Sequence, residues 1–427
     1  MVSSLDIQRV RAQFPGLASG FIFGDNAGGS QIAQEVIDRL TDYIINTNAQ
    51  LGGTYSVSAA STRRVLVEAP REVAKLFNAA SPNEIAFGAS STLNLENLAR
   101  SLEKDIQPGD EFIVTGEHEA NVGPWKKLAA RTGAVIKYWE PVPTVENNPY
   151  SLGFVTKDIL PLVTSKTRIV AISATSNILG SIVPVKEVVK AVREHARIQG
   201  ATNVQISVDC VAYAPHRLID VQDWDVDFAV FSFYKVYGPH ISGLYVREPV
   251  LRNSVTSLAH HFIDVDASPS YKLTPGGPGY ELVHATTGVV PYLLSLTPEN
   301  DLKASFDAIA EHEQALVKPL LEFLADPVQY ERGVRIVGQS KVDQTRVPTV
   351  SFVVVGPRAI RSQDIVRQVD EEGTIGIRWG HFYAYTRILG LENVDIADGV
   401  VRISLVHYNT VEEVRKIVEI LRKVLSA

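Results

Sequence analysis

Between about residue 84 and residue 250 the chain alternates short apolar runs with helix-like stretches, and this alternation limits the fold more than any other feature. The runs at 84–87, 111–115, 134–139, 168–173, 204–209, 227–232 and 243–246 read as strands, with helical stretches at 91–103, 121–132 and 185–198 between many of them. Strands joined through helices run mainly parallel, and the helices cover both faces of the sheet. The expectation is an α/β fold built on a mainly parallel seven-stranded sheet. Ligands bind such sheets beyond the carboxyl ends of the strands.

The flanking regions are less regular. Residues 6–13 and 31–45 read as helices, the second because Ile32, Val36, Leu40 and Ile44 recur at helical spacing. Between them a short strand from Phe21 runs into a glycine turn, Gly28-Gly29-Ser30. Residues 46–62 are polar and glycine-bearing and read as an ordered loop near the site. The stretch 252–300 is rich in Pro and Gly and reads as irregular. A helix at 300–325, shorter strands at 349–355, 376–379 and 401–405, and a closing helix follow. That helix opens on a capping box, Thr410-Val411-Glu412-Glu413, and carries an apolar stripe of Val414, Ile417, Leu421 and Val424. The expected organisation is an N-terminal segment, 1–20, packing on a small domain, a large domain at 21–295, and a small C-terminal α/β domain at 296–427.

Composition narrows the function classes. With 427 residues, 45% of them hydrophobic, the chain can bury a large core. A net charge of −7 argues against nucleic acid as the main partner. No run approaches the ~18–20 apolar residues of a membrane helix. Met1-Val2-Ser3-Ser4-Leu5-Asp6 has no basic region leading into an apolar core, so no secretory signal is read. The single cysteine, Cys210, excludes an intramolecular disulfide and a multi-cysteine metal site, and the ten histidines show no HxxxH or HExxH spacing. A cytoplasmic protein without a metal site or membrane partner is expected.

The chemistry-bearing residues gather at strand ends. Lys235 stands in Ser232-Phe233-Tyr234-Lys235-Val236-Tyr237-Gly238, directly after an apolar strand. An ammonium there loses solvation, so its amine form is easier to reach. Such an amine can form a Schiff base with an aldehyde cofactor. The plainer reading is a lysine that snorkels to water. Asp209 ends another strand. A carboxylate facing a pyridinium nitrogen, paired with a Schiff-base lysine, is a signature of pyridoxal phosphate; otherwise an Asp there is a turn former or helix cap. Ser91 and Thr92 begin a helix straight after a strand and offer hydroxyls and free N–H groups to a phosphate, or merely cap the helix. His118 can stack on a planar cofactor and move protons, or be structural. Asn177 can bond a phenolic oxygen or simply make a turn with Gly180 nearby. Arg402, inside an apolar strand, needs an anionic partner: a substrate carboxylate held by its fork, or a structural Asp or Glu.

Together these residues resemble the class-V aminotransferase fold of pyridoxal-phosphate enzymes, in its cysteine-desulfurase-like branch. The resemblance covers nearly the whole chain. It rests on Asp25-Asn26-Ala27-Gly28-Gly29-Ser30, Glu117-His118-Glu119-Ala120-Asn121 with Pro124-Trp125, Ser176-Asn177-Ile178-Leu179-Gly180, Asp209 through Pro215-His216, Phe231-Ser232-Phe233-Tyr234-Lys235, and Arg402-Ile403-Ser404 with Tyr408-Asn409-Thr410. It implies fold type I and a homodimer with sites at the interface. It makes Lys235 the Schiff-base lysine, Asp209 the pyridinium partner and His118 the stacking imidazole. Ser91, Thr92 and Ser232 would hold phosphate, Asn177 and Tyr234 would lie at the cofactor, and Arg402 would bind the carboxylate of an L-amino acid near Asn26 and Ala27.

Four positions depart from that pattern. Tyr383 stands where desulfurases carry a mobile sulfur-accepting cysteine. Ala212 replaces a Gln, Tyr234 a His and Gly277 a Thr. Such departures look like those of a divergent subgroup that includes fungal natural-product enzymes. The expected activity is side-chain lyase or C–C bond-forming chemistry on an L-amino acid, with a carbonyl or imine as a second substrate in the latter case. Tyr383 and His381 are candidates for gating or acid–base work. The alternatives are C–S cleavage without a loop cysteine, plain transamination, and a non-catalytic scaffold.

Overall fold

All seven apolar runs become strands of one sheet. Its order is Ile85–Gly88, Ser242–Val246, Phe228–Ser232, Gln205–Asp209, Thr167–Ser173, Glu111–Thr115, Val135–Trp139. The protein is described by a computed structural model covering residues 5–266 and 268–426. Residues 1–4, where the reading of a missing secretory signal begins, lie outside the described residues.

Ser242–Val246 is antiparallel to both its neighbours, and every other pairing is parallel. The reason is local: residues 233–241 are too few for a crossover, which needs about a dozen. Alternation along the strands fills two separate cores. Val170 and Ile172 enter one apolar cluster, whereas Ile169 and Ala171 enter another, as a two-residue period requires. Asp209 and Ser232 end neighbouring parallel strands, so both reach the same rim of the sheet.

A second, antiparallel sheet has the order Val334–Val337, Thr349–Val354, Val400–Ser404, Arg378–Gly380. Helices Leu302–Leu324 and Val411–Ser426 pack over it through Leu316, Leu320, Ile417 and Leu421. The expected capping box forms: the Thr410 N–H donates to Glu413 Oε2 at 3.1 Å, and the Glu413 N–H donates to Thr410 Oγ1 at 3.1 Å. Near the N-terminus, Phe14 packs among Tyr237, Tyr292, His407 and Tyr408.

The structure differs from the sequence expectation in several places. Residues 46–62 are not all loop: Ser56–Arg63 is a helix, and it runs on through a π turn, Arg64–Glu68, into Ala69–Phe77. Its buried face is made of serines, whose hydroxyls bond the carbonyls of Gln50 (Ser58, 2.6 Å) and Ala49 (Ser61, 3.0 Å). The irregular stretch contains two short helices, Tyr280–Ala285 and Val289–Leu294. The strand expected at 376–379 is two: Ile375–Gly376 pairs with Ile22–Phe23, and Arg378–Gly380 joins the second sheet. Strand Val334–Val337 was not expected. Among the described residues, no helix is long and apolar enough to cross a membrane, and no His, Cys, Asp and Glu group could hold a metal ion.

Candidate active site

The strand Phe228–Ser232 gives way to a single 3₁₀ turn, Phe233–Lys235, and beyond it Tyr237 is left-handed at φ 60°. That break leaves Lys235 buried at the rim, 7% exposed. Burial lowers its pKa to about 8, helped by the Arg402 guanidinium and opposed by Asp209 and Asp25. Asp209 is buried too, and burial pushes its carboxyl above the ordinary range, against a hydrogen bond from the Val211 N–H (2.9 Å) and the charge of Lys235. Burial, then Lys235 and Arg402, hold the His118 pKa down at about 3. The ring is therefore neutral, with Nδ1 accepting the Ala120 N–H at 3.1 Å and the proton on Nε2.

The other end of the site is a cluster of hydroxyls. Ser90 caps helix Ser91–Ser101 by accepting the Leu93 N–H. Ser91 Oγ lies 2.7 Å from Ser232 Oγ and 2.9 Å from Ser242 Oγ. Ser242 was missed by sequence reasoning, because a serine opening a strand carries no local sign of what faces it.

Apart from the wholly buried Ser242, these side chains line two adjoining cavities that share part of their walls. The inner cavity, about 70 Å³, is walled by Ser91, Thr92, His118, Thr175, Asn177, Asp209, Ala212, Ser232, Tyr234 and Lys235. The outer cavity, about 410 Å³, shares Thr92, His118, Asn177, Tyr234 and Lys235 and adds Ala27, Arg378, Phe382, Tyr383 and Arg402. Two of the expected residues stand outside both. Asn26 is buried, and its amide bonds Phe23 O, Ser404 O and Asn409 Oδ1 and accepts the Tyr408 hydroxyl. His381 does not line either cavity, and its Nδ1 accepts the Tyr383 N–H at 3.1 Å. Of the departures, Ala212 lines the inner cavity, whereas Gly277 lies beside Tyr280. Cys210 is fully buried in the core, where burial raises its thiol pKa.

The structure bears out the ion-pair reading of Arg402. Its Nη2 pairs with Asp25 Oδ1 at 2.9 Å, Phe382 lies 3.7 Å from its guanidinium carbon, and it still faces the outer cavity. Asp25 also takes Arg378 at 3.3 Å. Both partners stand in motifs visible in the sequence, but only the folded chain brings them together.

Three buried polar atoms on the cavity residues have no partner: Thr175 Oγ1, Asn177 Oδ1 and Arg402 Nε. Native proteins rarely leave such atoms unpaired without a ligand or water in view. A planar pyridine bearing an aldehyde and a phosphate fits this donor set. The hydroxyl cluster at a helix start suits the phosphate, Asp209 suits the ring nitrogen, the unpaired Thr175 and Asn177 oxygens lie free for polar contacts, and the neutral His118 offers a flat face.

The comparisons with known proteins converge on the same ligand. The class-V aminotransferase family model matches residues 22–417. An aminotransferase-like protein of Gibberella zeae, FGM3, is 44% identical, with 99% of each chain covered. A cysteine desulfurase-like protein of Aspergillus flavus, ustD, is 33% identical, covering 96% of this chain and 89% of its own. The apo structure of a cysteine desulfurase from Thermococcus onnurineus superposes with a TM-score of 0.82 at 24% identity, over 99% of this chain and 98% of that one, a likeness of fold. A match of this extent, on a cavity of this chemistry, makes the chain a member of the class-V aminotransferase family: a pyridoxal-phosphate enzyme of the cysteine-desulfurase-like branch.

Proposed function

We propose that the protein binds an L-amino acid beside its cofactor and acts on the side chain at Cβ or Cγ, as a lyase or by forming a C–C bond in specialised metabolism. The observation that carries this is the pairing of a complete amine–carboxylate–guanidinium set with no thiol in reach. Lys235 and Arg402 share the outer cavity, Lys235 and Asp209 the inner one, Tyr383 occupies the wall, and Cys210 is sealed in the core. Pyridoxal phosphate, when bound, supplies an aldehyde for the substrate amine and an electron sink for charge at Cα.

The chain's own residues do the rest. Lys235 holds the cofactor and moves the proton at Cα, a task its lowered pKa favours. Asp209 keeps the ring nitrogen protonated. His118 covers the ring face and stays neutral. Ser91, Thr92 and Ser232 hold the phosphate, and Asn177 and Tyr234 flank the ring. Asp25 takes Arg402 through Nη2 and the Asn177 carbonyl takes Nη1, so the unpaired Nε is left for the substrate carboxylate. Ala27 and Tyr383 line the substrate space. A carbonyl or imine acceptor enters through the same mouth in the bond-forming case. Exposed Ile45, Tyr55, Val57, Leu66 and Val67 support a homodimer, in which a second copy covers them. The single buried cysteine supports a cytoplasmic setting.

Two outcomes test this reading. With a pKa near 8, about a tenth of Lys235 is neutral at pH 7. Capture of pyridoxal phosphate, followed by absorbance, is expected to quicken about tenfold from pH 7 to pH 9 and to level off; a rise that stays log-linear through pH 9 would show an ordinary lysine. Second, the holoenzyme is offered a panel of amino acids, with the cofactor spectrum and product masses followed together. A substrate that loses or gains side-chain carbon supports the proposal. Sulfide and alanine from cysteine as the only products, or simple amino-group exchange, contradicts it.

A further inference from the structure

We propose that Arg387 is a positioning residue that latches residues 380–384 across the mouth of the site and so keeps Tyr383 stationary in the pocket wall. Arg387 lies on the short helix Tyr385–Leu389 that follows this segment. Its side chain is 9% exposed, with Nε on Glu117 Oε1 at 2.9 Å and Nη2 on Glu140 Oε2 at 2.5 Å. Glu117 is itself buried, and its other oxygen accepts the Ser176 hydroxyl. Glu117 precedes His118 and Ser176 precedes Asn177, so the latch grips the two loops that present those residues to the cavity.

The backbone of the strap shows what the latch opposes. Phe382 and Tyr383 are both left-handed, at φ 49° and 60°. Two successive side-chain-bearing residues hold that conformation only where their surroundings over-determine it. Here the Glu119 N–H donates to the Tyr383 carbonyl at 2.8 Å, and Asn177 Nδ2 donates to the Phe382 carbonyl at 3.0 Å. The Phe382 ring then sits against Arg402. The route runs from Arg387 through the strap to the guanidinium at the rim. Without Arg387, Glu117 keeps a buried charge with no cation, which is the costly way to break such a pair, and the strained strap loses its anchor.

The inference rests on the proposed function only in treating this cavity as the substrate site, and its test does not require turnover. Protein reconstituted with pyridoxal phosphate is compared with Arg387→Met, Arg387→Lys and Glu140→Gln by hydrogen–deuterium exchange over 380–386, and by the rate at which hydroxylamine strips the cofactor. The expected result is exchange and stripping at least about tenfold faster in Arg387→Met, with Arg387→Lys in between and exchange elsewhere unchanged. Exchange within about twofold of the parent, or a rise spread over the whole chain, overturns the latch. Should Arg387→Met not fold, Glu140→Gln, whose carboxylate reaches solvent, is expected to give about threefold acceleration confined to the strap; no change there overturns the proposal. If no amino acid reacts while the variants still loosen the strap, the proposed function falls and the latch stands.

Discussion

Replacing Lys235 by alanine is expected to lower turnover by about 10⁴-fold or more and to end covalent retention of the cofactor. Two contributions disappear at once, the nucleophilic amine that fixes the aldehyde and the base that moves the Cα proton, and a positioned base alone contributes about 10²–10⁴-fold. The fold should survive, because the side chain lines a cavity rather than filling a core. Lys235→Arg is the companion variant: it keeps the charge that Asp209 faces but has no usable lone pair. Both variants, passed over a desalting column after incubation with pyridoxal phosphate, should emerge without the absorbance of the covalently held cofactor. A Lys235→Ala protein with parental turnover would remove the basis of the assignment.

The second large effect is at Asp209. Asp209→Asn is nearly isosteric, and its side-chain oxygen can still accept the Val211 N–H. It cannot hold a pyridinium proton. Loss of one pre-organised electrostatic partner of this kind costs about 10²–10³-fold in kcat, so the variant should capture the cofactor yet turn over slowly. Its capture profile should also move to lower pH. Asp209 raises the Lys235 pKa, and removing that negative charge lets burial and Arg402 lower it further. Stopped-flow capture across pH, with turnover on the best panel substrate, measures both. Equal turnover, or a profile displaced to higher pH, contradicts the role given to Asp209.

Sequence patterning locates the large sheet because parallel strands buried on both faces are mostly apolar, as Phe228–Ser232 is. For the same reason a Lys or Asp at the end of such a run stands out, and Lys235 and Asp209 are legible in the amino-acid pattern itself. The helix Ser56–Arg63 is not, since its inward face is Ser58 and Ser61 and no apolar period marks it. Asn26 stands within a site motif, but its carboxamide serves the junction with Ser404, Tyr408 and Asn409. Residues distant in sequence form the pairs that no pattern displays, namely Asp25 with Arg402, Ser91 with Ser242, and Glu117 with Arg387. Each depends on how distant parts of the chain come to face each other, which local periodicity does not encode.

Borohydride reduction decides whether Lys235 carries the cofactor. The protein is incubated with pyridoxal phosphate at pH 8, reduced, digested and mapped by mass spectrometry. One modified residue per chain is expected, Lys235, with no labelling of that peptide in Lys235→Ala. A label carried by exposed lysines such as Lys303, with the Lys235 peptide unmodified, would contradict this.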